Sequence, residues 1–210
     1  MTVVIDTRSD LTLETARRVG WQHENVRLSD RVMVAMAEGR DRLLRVLEHD
    51  PEITIYGVTT GAGQMAKTRL NPEERRGWAK MSPVGAATSW GDPLPERVVR
   101  MIVLARLTNF VEGHAAVSPA IAQGVAAMLG GAMMPVVPAR GQGGAGEILS
   151  LSHLFMDLVE QVEPEEKDVM CLVNGSPSAT GLVTDAALVA EHRLQVAAEI
   201  LALSFEAFNA

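Results

Sequence analysis

Residues 179–208 read as a single helix of roughly thirty residues, about 45 Å long at 1.5 Å per residue. Leu182, Ala186, Val189, Leu194, Ala197, Leu201 and Phe205 are apolar, and small alanines fill the spaces between them. A helix apolar over so much of its circumference is normally buried among other helices. The chain is therefore expected to be mainly α, with this long C-terminal helix contributing to a bundle. It has 210 residues, enough for one domain with a core of its own. Yet the sequence stops at Asn209-Ala210, directly after the helix. So large an apolar surface is expected to be covered from elsewhere.

The preceding sequence is punctuated for more helices. Thr12 suits the N-cap of a short helix, and Ser29 that of a longer one. In the latter, Val32, Met36, Leu43, Leu44 and Leu47 keep helical spacing up to Pro51. Asn71-Pro72-Glu73-Glu74 combines a capping Asn, Pro at the first helical position and acids in the first turn, and predicts a helix to about Lys80. Further helices are expected over 96–112, from Ser118-Pro119 to Gly130-Gly131, and from Glu147 to about Val159. Val3-Val4-Ile5 and Ile53-Thr54-Ile55 are the β-prone runs, so short strands are expected in the first third only. The chain divides into residues 1–177 and a bundle helix over 178–210, read as parts of a single domain.

Composition narrows the function. Hydrophobic residues make up 47%, which argues against disorder, and a net charge of −7 argues against nucleic acid or an anionic membrane as the main partner. The one cysteine, Cys171, allows no intramolecular disulfide, suits a reducing compartment, and lies in an apolar run as a core thiol would. The first ten residues do not read as a secretory signal, and no uncharged apolar run reaches membrane-spanning length. A cytoplasmic location is expected. No zinc-ligand spacing, nucleotide-binding fingerprint or internal repeat is present, and neither cofactor nor metal is expected.

Three stretches can carry chemistry. The first runs from Pro135 to His153, with Gly141, Gly143, Gly144 and Gly146 crowded into six residues. Such a loop can bring bare backbone close to a small molecule, and its N–H groups can converge on an anion. It equally suits a flexible turn between helices. The second is Tyr56-Gly57-Val58-Thr59-Thr60-Gly61-Ala62-Gly63, which holds the chain's only tyrosine. Glycines on either side let the ring swing over a pocket. A phenol of ordinary pKa, about 10, acts as a base only in a cationic or dipolar setting. The alternative is a packed ring with a wet hydroxyl. The third, Asn174-Gly175, is by itself a turn signal.

Taken together, these stretches resemble the histidine and phenylalanine ammonia-lyase family. That family carries Tyr-Gly-Val-Thr-Thr-Gly-x-Gly, and the tyrosine and both threonines are in register here. Its active-site loop runs Pro-x-x-Pro, Gly-Ser-Val-Gly-Ala-Ser-Gly-Asp-Leu, then Leu-(Ser/Ala)-His, and its Asn-Gly-Thr corresponds to Asn174-Gly175-Ser176. The resemblance implies an ammonia-lyase-like helical fold, Tyr56 as catalytic acid/base, and Asn174 and Gly63 against substrate. It also implies that backbone of Gly143, Gly144, Ala145 and Gly146 faces a developing oxyanion. The departures are specific. The family cyclises Ala-Ser-Gly into an electrophilic methylidene-imidazolone, with the serine oxygen as leaving group. Counted back from His153, that place is Gly144-Ala145-Gly146, and no serine lies between Gly141 and Gly146. Gly85-Ala86 stands where the family has an active-site Ser-His.

The match extends from Leu11 to the last helix and equates to the N-terminal portion of the family protein. It implies a second subunit resembling the missing C-terminal part, and a small-molecule substrate whose C–H is already activated or whose carbon is already electrophilic. Elimination is the family-like reaction; isomerisation, cyclisation and hydrolysis suit the same groups. A non-catalytic structural or regulatory subunit is the alternative, and an incomplete fragment of a larger lyase is a third reading, which the missing serine and histidine weaken. Arg106 is read as a buried ion-pair partner, Glu147 as an acid in its own helix's first turn, and His153 as a hydrogen-bonded core histidine.

Overall fold

The computed structural model describes residues 1–131 and 133–209, apart from the side chain of Ala145. Helices dominate. In chain order they are α1 (Leu13–Gly20), α2 (Asp30–His49), α3 (Pro72–Ala79), α4 (Glu96–Thr108), α5 (Pro119–Met128), α6 (Ile148–Gln161), α7 (Asp168–Val173) and α8 (Pro177–Ala207). The caps read from sequence form. Thr12, Ser29, Asn71 and Ser118 each accept a hydrogen bond from a backbone N–H in the first turn that follows, and Asn71 with Glu74 completes a capping box. α4 is shorter than expected, ending at Thr108 in a series of turns through Ala115.

The strands depart further from expectation. β1 (Thr2–Ile5) pairs in parallel with β2 (Asn25–Leu28), with Val3 opposite Val26 and Ile5 opposite Leu28. β3 (Trp90–Pro93) pairs antiparallel with β4 (Pro138–Arg140), so strands are not confined to the first third. Ile53-Thr54-Ile55 forms no strand. The Thr59 hydroxyl takes over its polar backbone groups, accepting from Ile55 N at 2.7 Å and donating to Ile53 O at 2.8 Å. No helix among the described residues is long and apolar enough to cross a membrane.

The core gathers around α4, where every residue from Val98 to Leu107 is buried. α1, α5 and the first half of α8 pack against it. α8 comes so near that a Cβ on Gly181 would lie 2.7 Å from Ile102 N. Arg100, 1% exposed, donates to the carbonyls of Val19, Glu24 and Leu129, so its charge serves chain ends at the close of α1 and α5. Cys171 is buried, and burial pushes its thiol up to about 11, as befits a core thiol. Past Leu188, α8 leaves the body. Leu194, Ile200, Leu203 and Phe205 are each more than half exposed.

Candidate active site

A cavity of about 330 Å³ opens between the Tyr56–Gly63 loop, the end of α3, the 81–86 turn, the start of α6 and the 166–174 segment. Tyr56, Gly63 and Asn174 all line it. Tyr56 is half exposed, and its phenolic oxygen accepts from Gly63 N at 2.9 Å. That bond ties the ring's hydroxyl back across its own loop, and both residues line the cavity. Gly57 and Gly63 lie in the left-handed region, at φ 69 and 58. At Gly57 a Cβ would also meet the Met170 side chain at 2.8 Å, so a substitution there is strained and requires Met170 to move.

The glycine loop lies behind Asn174 and bears on the cavity only through it: Gly143, Gly144 and Gly146, expected against substrate, are not among the residues that line it. Gly146, at φ 71, lies within the 3-10 turn Ala145–Glu147, and a Cβ there would fall 2.4 Å from Asn174 Oδ1. Bare Cα at Gly146 is thus what lets the Asn174 carboxamide sit where it does. Gly143 and Gly144 are also left-handed, at φ 80 and 85, and do not line this cavity. Ala145 contributes backbone to the turn, and its side chain lies outside the description. Gly85 and Ala86 line the wall, so the family's Ser-His position does face the cavity but brings no titratable group to it.

The segment does not fit the family's electrophile. No hydroxyl is present from Gly141 to Gly146 to act as leaving group, and Asn174 fills the space a side chain at Gly146 would need. The nearest serine on α6, Ser150, is buried, donating to Glu147 O at 3.2 Å and bonded to Ser178 Oγ at 2.9 Å.

Three further residues shape the site in ways the sequence reading did not anticipate. Arg106 forms no ion pair among the described residues. Its Nη2 donates to Asn174 O at 2.7 Å, and burial pushes its pKa down to about 10. It therefore holds the 174–175 turn. Glu147 is left-handed at φ 53 and caps α8 rather than its own helix, accepting from Ser178 N at 2.6 Å and Ala179 N at 2.9 Å. His153 is half-buried, and among the described residues its Nε2 has no hydrogen-bond partner, against the expected hydrogen bond. On the 163–168 loop, Arg40 bonds to Glu165 and to Glu166 O. Asp168 accepts from Ser118 N at 2.8 Å and Glu165 N at 2.9 Å, and burial raises its carboxyl pKa.

The aromatic amino acid lyase family model matches residues 11–160. The histidine ammonia-lyase of Geobacillus thermodenitrificans is 27% identical across 98% of this chain, and the probable histidine ammonia-lyase of Thermoplasma acidophilum 28% identical across 99%. This chain spans only 45% and 46% of those two proteins. Among solved structures, tyrosine aminomutase from Streptomyces globisporus superposes with a TM-score of 0.73 at 26% identity, covering 88% of this chain and 38% of that one. Histidine ammonia-lyase from Trypanosoma cruzi shares the fold, with a TM-score of 0.77 at 21% identity over 100% of this chain and 44% of its own.

Proposed function

The chain belongs to the aromatic amino acid lyase family, and from that premise we propose that it is the small subunit of a hetero-oligomeric lyase-like enzyme working without methylidene-imidazolone. Membership supports lyase-type or related elimination and isomerisation chemistry in general terms. The observation that carries the finer reading is the shared cavity. Tyr56, Gly63 and Asn174, far apart in sequence, line one pocket whose wall also holds Ala86 in place of the family histidine. Tyr56 is then the proton-transfer side chain that survives in the family's active-site register.

With no electrophile to acidify an ordinary amino acid's β-proton, the substrate must bring its own activation, such as a carbonyl beside the reacting C–H. In its phenolate form, with its own proton already given up to solvent and the Gly63 N–H bonded to its oxygen, Tyr56 takes that proton, and the Asn174 carboxamide orients the substrate. The resemblance assigns backbone of the Gly143–Gly146 stretch to developing negative charge, as preorganised N–H donors are used, but Gly143, Gly144 and Gly146 stand outside the cavity wall, so this part of the reading is proposed on the family pattern alone. Elimination is the first choice of reaction, and isomerisation, cyclisation or hydrolysis would use the same groups. We place the exposed half of α8 against a second subunit resembling the remaining part of a lyase, in a cytoplasmic complex. Its apolar side chains support this, because a solvent-facing stripe of that kind is otherwise an aggregation liability.

The test is turnover by the complete complex with Tyr56→Phe, which keeps the ring and removes the proton. Loss of a positioned acid/base slows the reaction roughly 10²–10⁴-fold. Less than a threefold change would favour the alternative, a structural or regulatory subunit, which the alanine at position 86 also suits.

A further inference from the structure

Arg75, on α3, lines the cavity together with Glu166 of the 163–168 loop, and its side chain is only 16% exposed. The other arginines buried at least as deeply spend their donors on the backbone. Arg40, Arg100 and Arg106 each donate to carbonyls of distant segments. Arg75 does not. Glu166 Oε1 lies 3.3 Å from its Nε but not in hydrogen-bonding geometry, and that buried Nε has no other partner among the described residues. Its two Nη nitrogens make no hydrogen bond among the described residues either, and unlike Nε they keep solvent-accessible surface. A guanidinium carries five N–H donors in a planar fork. Holding it largely out of water with those donors unused costs free energy that a matching acceptor would recover.

The charge along the wall points the same way. Lys167 also lines the cavity, with its Nζ donating to Ala115 O at 2.7 Å and no carboxylate partner among the described residues. A ligand therefore meets two cations, Arg75 and Lys167, against the single carboxylate of Glu166. Much of the remaining wall is apolar, including Val58, Met81, Met170 and Val173. Trp78, three residues after Arg75 on α3, shares its helix face and lines the same space. A ligand with an anion at Arg75 can thus lay an apolar body along Trp78.

We propose that Arg75 is a ligand-binding residue whose Nη edge takes a carboxylate in two parallel hydrogen bonds, with Trp78 receiving the apolar body of the same ligand. Glu166, beside Nε, biases the guanidinium toward presenting its other edge. The planar fork suits a planar carboxylate, which a lysine ammonium would hold only as a point charge. This rests on the cavity being the substrate site and gives it a ligand class: a carboxylate on an apolar frame, held from α3.

The test is equilibrium binding of benzoate and benzamide to the full chain in the assembly in which it purifies. The two probes share a ring and differ in the charge of the tip. Benzoate is expected to bind roughly tenfold more tightly, the scale of a hydrogen-bonded charge pair. Arg75→Gln is expected to erase that preference and to leave benzamide within twofold. Arg75→Lys, which keeps the charge and loses the fork, is expected to restore only part of it. Benzamide binding as tightly as benzoate, benzoate unchanged by Arg75→Gln, equal weakening of both probes, full benzoate affinity in Arg75→Lys, or no binding of either probe would each overturn the proposal. The comparison of probes on the unsubstituted chain needs no variant to fold. Because no readout is turnover, a silent Tyr56→Phe would end the catalytic reading and leave this one standing, whereas benzoate affinity unchanged in Arg75→Gln would end this one alone.

Discussion

Glu147 holds together two elements that its sequence neighbourhood does not connect. Its carboxylate receives the N–H groups of Ser178 and Ala179, at the start of α8, from a left-handed position beside the glycine loop. Glu147→Ala leaves the buried Ser178 N–H without an acceptor and removes the part-buried bond to Ala179 N. The expected loss is about 2–3 kcal/mol, read from urea unfolding, and a loss under about 0.5 kcal/mol would contradict the assignment. Caps such as Thr12, Ser29, Asn71 and Ser118 were legible in sequence because each bonds to backbone only two or three residues ahead. The bonds of Glu147 to α8, and of Arg106 to Asn174 O, were not, because nothing local specifies a partner so far along the chain.

At the scale of elements, α8 and α4 approach so closely that substitution on one is felt by the backbone of the other. Gly181→Ala removes a helix-interior glycine, which by propensity alone adds up to about 1 kcal/mol. It also places a methyl 2.7 Å from Ile102 N, and overpacking of that kind costs about 1–3 kcal/mol. The packing effect is expected to win, so the variant should unfold at lower denaturant concentration than the parent. A stabilised variant would show that the two helices lie further apart. Helices were read well from sequence because ten or more residues of periodic pattern and a cap speak together. The strands were not, since three or four residues carry little periodicity. Ile53-Thr54-Ile55 looks β-prone, but it has no neighbouring strand to pair with, and Thr59 satisfies its backbone instead.

For the whole molecule, one end is a packed core and the other a helix with apolar side chains in solvent. Residues beyond Leu188 on α8 are expected to drive self-association when this chain is expressed alone. Sedimentation should show oligomers or aggregates that a chain resembling the remaining part of a lyase disperses into a defined complex. A monodisperse, folded monomer would remove the case for a second subunit. The family motifs raised the expectation that Tyr56, Gly63, Asn174 and the Gly143–Gly146 stretch serve one substrate; Tyr56, Gly63 and Asn174 line one cavity, and Gly143, Gly144 and Gly146 do not. The central claim is that this cavity serves a lyase-family chain whose glycine loop cannot cyclise. The most direct measurement is the intact mass of this chain taken from a catalytically active complex. The account expects the unmodified mass of the sequence. A deficit equal to two water molecules, accompanied by near-ultraviolet absorbance from a new conjugated group, would contradict it.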